Sequence, residues 1–210
     1  PEPQRSPGWT PLRAAPKHAG TPGTHFGPEI GFGRTLAARW PDRRIVLIKH
    51  GHGATSLAED WNPRATTGRQ LYRSFLAHTR AAFDRLEREA RAFELRAFVW
   101  CQGEADSTRP EWAAAYEDNL RRFVAQVRKD FGKPALPVLI VLTGDGRLNP
   151  RMTHARQVRE AQRRVVAQDA AAALVSGDDL ALFDVVHYDA PSQLELGRRL
   201  ADAFLSRFQP

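Results

Sequence analysis

A chain of 210 residues, 42% of them hydrophobic, can bury one sizeable core and reads as one domain. Its single cysteine, Cys101, excludes an intramolecular disulfide framework and any multi-cysteine metal site, and no run approaches the ~20 apolar residues of a membrane helix. The formal charge of +7, from 31 Lys and Arg against 24 Asp and Glu, would suit a polyanion. The arginines, however, are spread over every amphipathic segment and interleaved with acids at helical spacing, as in Asp84/Arg88 and Glu87/Arg91. Neither nucleic acid nor membrane is therefore expected as a partner.

In chain order, residues 1–27 are rich in Pro and Gly without a period and read as an extended loop before a domain at 28–210. The start, Pro1-Glu2-Pro3, is not a signal peptide and lacks Met, so the natural N-terminus is expected to be absent. Pro28 to Trp40 reads as a helix with Ile30, Phe32 and Leu36 on its apolar positions, followed by a strand at 45–48 and a polar loop at 49–65. A second helix is predicted from about Thr67 to Arg91. A short apolar strand, about 95–101, then breaks off into Gln102-Gly103-Glu104-Ala105-Asp106.

Pro110 opens a third helix to about Phe131, closed by Gly132-Lys133-Pro134. A strand at 138–142 runs into Thr143-Gly144-Asp145-Gly146; a helix at about 153–169, a strand at 172–175 and a helix from about Ser192 to Phe208 complete the chain. Strands alternating with helices of ten or more residues predict βαβ units and a parallel sheet. The strand ends before residues 49, 102 and 143 all change from apolar to polar, as at the carboxyl edge where open parallel sheets bind ligands. Together with Asp184-Val185-Val186-His187 they are expected to form a single site.

Some residues admit more than one chemistry. His50 and His52 share a face of an extended segment and could ligate a metal, but no third ligand stands nearby in sequence, so no metal is expected. Cys101 could be a nucleophile; its position inside a strand end favours a buried small hydrophobe. Glu104 and Asp106 could be paired carboxylates for acid/base work or a hard metal site.

The block Trp100-Cys101-Gln102-Gly103-Glu104-Ala105-Asp106 resembles the W-x-Q-G-E-x-D block of the sialate O-acetylesterase-like carbohydrate esterases, a branch of the SGNH (GDSL-type) hydrolases. Three further blocks resemble that family in the same order: Phe26 to Gly33 its F-G-P-E-x-x-F-G entry to the first helix, Lys49 to Trp61 its K-x-x-x-G-G-T-S-L-x-x-D-W loop, and Asp184 to Gly197 its D-x-x-H segment. The resemblance implies a flavodoxin-like three-layer α/β/α fold and hydrolysis of O-acetyl esters on sugars by a Ser-His-Asp mechanism without cofactor or metal. It further implies His187 as the base, Asp184 as its orienting carboxylate, Gly53 and Gln102 as oxyanion donors, and Glu104 and Gly103 as support for the site loops. Ala54 departs from the family, where a second glycine is usual.

The family's nucleophile is the serine of a G-Q-S-N block at the end of the first strand, and no Gly-Gln-Ser occurs in these 210 residues. Ser6 has no strand before it, and Ser56 matches a family position that is not the nucleophile. The expectation is an N-terminally truncated esterase whose sheet lacks its first strand and which is inactive alone. The alternative is a non-catalytic carbohydrate-binding or scaffold protein that has lost its serine.

Overall fold

The structure, a computed structural model, describes residues 8–16 and 23–208. It is α/β and divides into two units, one of Pro1–Gly51 with Asp179–Pro210 and one of His52–Asp178. The first unit contains the short antiparallel strands β1 (Ala15–Pro16) and β2 (Gly23–His25), α1 (Glu29–Arg39) and α5 (Ala190–Phe208). The second contains α2 (Leu71–Arg88), β3 (Phe98–Trp100), α3 (Pro110–Asp130), β4 (Val138–Val141), α4 (Ala155–Ala167) and β5 (Ala172–Val175).

In the second unit the sheet is parallel, in the order β3-β4-β5, with Phe98 opposite Val138 and Ile140 opposite Leu174. All four side chains of β4 are buried, as a central strand of a sheet covered by helices requires. Trp100 packs edge-on to Trp61, with ring centroids 5.3 Å apart, and against Phe123 at 4.3 Å. Tyr116, Leu120, Phe123 and Val127 repeat at three and four residues along α3 and are fully buried, which is why this stretch winds as a helix on the sheet.

Backbone chemistry sets the helix ends. α2 starts at Leu71 instead of Thr67 because Gly68 and Gln70 take left-handed φ values of 71° and 46°, and the Leu71 N–H donates to the Asp60 carbonyl instead of into a helix. It ends in a six-to-one closure, Arg91 N–H to Leu86 O at 2.9 Å around left-handed Ala90, and α3 closes the same way around Gly132.

In the first unit α1 and α5 cross at backbone distance. A Cβ on Gly31 would lie 2.1 Å from the Leu194 carbonyl oxygen, and one on Gly197 would lie 2.1 Å from that of Pro28. The crossing is completed by Trp40 edge-on to Phe204 at 6.3 Å. Asp189 caps α5 by accepting the Ser192 N–H at 2.9 Å.

Two expectations are corrected here. The apolar run 45–48 belongs to no ladder with any described residue, although Leu47 lies against α1 beside Gly33. An apolar run becomes a strand only when another strand takes up its N–H and C=O groups. Cys101 is exposed, not buried, because the β3 ladder ends at Trp100 and the next side chain leaves the layered region. Ser6 lies outside the described residues.

Candidate active site

The carboxyl end of β3 is a buried polar knot. Gln102, 8% exposed, donates through Nε2 to the Thr55 carbonyl at 2.9 Å and to Asp106 Oδ2 at 2.6 Å. Asp106 is wholly buried and also accepts the backbone N–H groups of Leu57 at 2.8 Å and Ala58 at 3.0 Å. One carboxylate thereby ties the 52–61 loop to the strand end. Burial pushes the Asp106 carboxyl above its usual range, and the hydrogen bonds from Gln102, Leu57 and Ala58 oppose that rise.

Gly103 is the pivot of this knot. Its φ of 155° lies where side chains are rarely tolerated, and a Cβ there would fall 1.9 Å from Thr143 Oγ1. The Gln102 carbonyl accepts the Tyr116 hydroxyl at 2.8 Å, Thr143 Oγ1 at 3.2 Å and Gln162 Nε2 at 3.2 Å. Burial holds the Tyr116 phenol far above its ordinary pKa and so keeps it a donor. Arg159 bonds the Thr143 carbonyl and pairs with Asp178 at 2.7 Å, fixing the end of β4. Glu104, one of the residues expected to support the site loops, is half-buried beside this knot.

The 52–61 loop is held from within as well. Thr55 Oγ1 donates to the His52 carbonyl and accepts the Trp61 indole N–H, each at 2.9 Å, and Asp60 accepts the Ser56 N–H at 2.8 Å. Gly53 is exposed, with open space where a Cβ would be, so its face of the loop is accessible. Ala54, where the family pattern has glycine, takes the left-handed φ of 54° that a glycine would adopt without strain.

Asp184 and His187, in the first unit, meet directly: His187 Nδ1 lies 2.7 Å from Asp184 Oδ2. Asp184 Oδ1 accepts the backbone N–H groups of Val186 and His187, both at 2.7 Å. The backbone N–H of His187, followed by its imidazole, draws the Asp184 carboxyl down to about 2, so it is ionised at any physiological pH. When Nδ1 carries the ring's proton and donates it to that carboxylate, the lone pair is left on Nε2, the arrangement a general base needs. Both side chains are exposed.

The hydroxyls of Ser56 and Ser107 are buried and bonded, to Asp60 at 3.3 Å and the Gly103 carbonyl at 2.8 Å. Among the described residues no group of three or more His, Cys, Asp or Glu could hold a metal ion, and no helix is long and apolar enough to cross a membrane. Sequence reading did not assign roles to Thr143, Arg159 and Gln162. Gln162 carried a signal: it falls four residues after Val158 and three before Val165, on the apolar stripe of α4, where a polar side chain must find buried partners.

The model of the family described as carbohydrate esterase, sialic acid-specific acetylesterase, matches residues 6–206. The chain belongs to this family. A probable carbohydrate esterase of Arabidopsis thaliana is 29% identical over 191 residues, covering 87% of this chain, which spans 64% of that relative's length. The X-ray structure of the protein of the same Arabidopsis locus superposes with a TM-score of 0.72 at 26% identity, over 88% of this chain and 70% of that one. A carbohydrate acetylesterase from Xanthomonas citri aligns over 55% of this chain and 26% of its own, at 23% identity and a TM-score of 0.45. The α/β fold with a parallel sheet is that of the SGNH-like hydrolases.

Proposed function

We propose that the protein is a carboxylic ester hydrolase that removes acetyl groups from carbohydrate by a Ser-His-Asp mechanism. The observation that carries this reading is the Asp184–His187 pair, bonded at 2.7 Å with the carboxylate fixed by two backbone N–H groups, in a member of a carbohydrate esterase family. Nε2 of His187 takes the proton of a serine hydroxyl as its oxygen attacks the acetyl carbonyl. The imidazolium, facing ionised Asp184, then returns that proton to the departing sugar oxygen. Water repeats the cycle on the acyl-serine and releases acetate.

Gly53, through its backbone N–H, and Gln102 are the proposed oxyanion donors. Both amide hydrogens of Gln102 are held by Thr55 and Asp106, so it reaches an oxyanion only by releasing one of them. In the arrangement seen, its amide ties the 52–61 loop to the strand end, and Gly103 and Glu104 are proposed to support it. The nucleophile is proposed to be none of the seven serines of these residues, since no Gly-Gln-Ser is among them. That same observation favours a second reading, a carbohydrate-binding protein without turnover.

Acetate release from O-acetylated sugars tests both. The comparison is between the 210 residues alone and a polypeptide in which a strand ending Gly-Gln-Ser-Asn precedes them. Turnover only in the longer form is expected. Equal turnover in both would overturn the assignment of the nucleophile, and sugar binding with no acetate released by either would favour the second reading.

A further inference from the structure

The turn that holds the dyad also presents the most exposed large apolar side chain among the described residues. Phe183 is 80% exposed, with Val185 at 52% and Leu182 at 37% around it. The other exposed phenylalanine, Phe93, packs on Phe83 with ring centroids 4.9 Å apart, whereas no aromatic ring among the described residues packs on Phe183. Its backbone is nevertheless tightly placed: its N–H donates to the His187 carbonyl at 2.7 Å, and Leu182 bridges Tyr188 in antiparallel fashion. The turn from 182 to 188 thus fixes the backbone of Phe183 beside that of His187. A solvent-facing phenylalanine has a large apolar area to lose to a ligand, and with Leu182 and Val185 also exposed within two residues it is not a lone surface hydrophobe.

We propose that Phe183 is the platform on which a pyranose ring of the acetylated carbohydrate rests, flanked by Val185. This rests on the esterase reading of the same turn for its substrate class. A sugar ring has a face of C–H groups and a rim of hydroxyls, so stacking on Phe183 buries the apolar face while leaving the hydroxyls in water. Such a seat would locate an ester on the ring beside His187. Phe183 is a binding residue and takes no part in proton transfer.

The test is a split between KM and kcat on an O-acetylated sugar in a catalytically competent form of the protein. Phe183→Ala is expected to raise KM about tenfold, the scale of one lost aromatic contact, with kcat moved far less, and Phe183→Trp to restore KM. An unchanged KM in Phe183→Ala, or a fall in kcat alone, would overturn the platform. If no form turns over substrate, the esterase reading fails by itself and the platform is judged by titrating the same sugar into the 210-residue chain. A dissociation constant raised about tenfold in Phe183→Ala and restored in Phe183→Trp supports it; equal constants, or no binding to the parent chain, overturn it.

Discussion

The strand end at 101–107 and the turn at 182–189 both combine a carboxylate with a proposed functional side chain, and they are built in opposite ways. Asp106 is wholly buried and holds three donors, two of them about fifty residues away in sequence, in a knot where Gln102, Tyr116, Thr143 and Gln162 all have partners. Asp184 is exposed, and its three donors all come from the next three residues. Buried and fully partnered groups hold shape, because leaving any one unsatisfied is costly. Exposed, locally held groups can exchange protons with a substrate. On the proposed reading, the first region chiefly holds the shape of the site and the second carries the proton transfer.

If the contrast is right, removing Asp106 should have the largest effect on stability. Asp106→Ala strands the Leu57 and Ala58 N–H groups and the Gln102 amide, at about 1–3 kcal/mol for each buried unsatisfied group. Denaturant unfolding should therefore show a loss of about 3 kcal/mol or more, whereas Asp184→Ala should change stability by well under that. Equal losses would erase the distinction. A smaller effect, of opposite sign, is expected next door. Left-handed Ala54 carries ~1–2 kcal/mol of backbone strain, partly offset by the greater unfolded-state freedom of glycine. Ala54→Gly should then stabilise the second unit by up to about 1 kcal/mol; destabilisation would mean that the loop does not hold that conformation.

The smallest effect is a titration. Asp184 lies at about 2 against an ordinary 3.8, so its contribution is complete above 3.8 and is lost as pH falls toward 2. The largest cause is the backbone N–H of residue 187, which survives in His187→Ala. Carboxyl NMR should thus find Asp184 moving upward in that variant without returning to 3.8. A full return would show that the imidazole alone sets it.

These regions also differ in how far they could be read from sequence. The helices were legible because apolar residues at three- and four-residue spacing, Pro110 and Gly132 act locally, and the parallel sheet followed from their alternation with strands. The Asp184–His187 contact needed only one turn of chain. The run 45–48 looks like β4 in composition, yet pairing depends on a partner strand that composition does not encode. Cys101 was misread for a related reason, since exposure past a strand end depends on what covers it. Asp106 stood out within its block, but its ties to Leu57 and Ala58 join residues about fifty positions apart and leave no local mark.

The central claim is that His187, oriented by Asp184, is the base of an ester hydrolysis. Its most direct test is kcat/KM on an O-acetylated carbohydrate for a catalytically competent form and its His187→Ala variant, with folding checked by unfolding midpoint. A loss of about 10²–10⁴, the usual contribution of positioned proton transfer, with an unchanged midpoint and a lesser loss in Asp184→Asn, is the predicted result. Turnover in His187→Ala equal to that of the parent would contradict it.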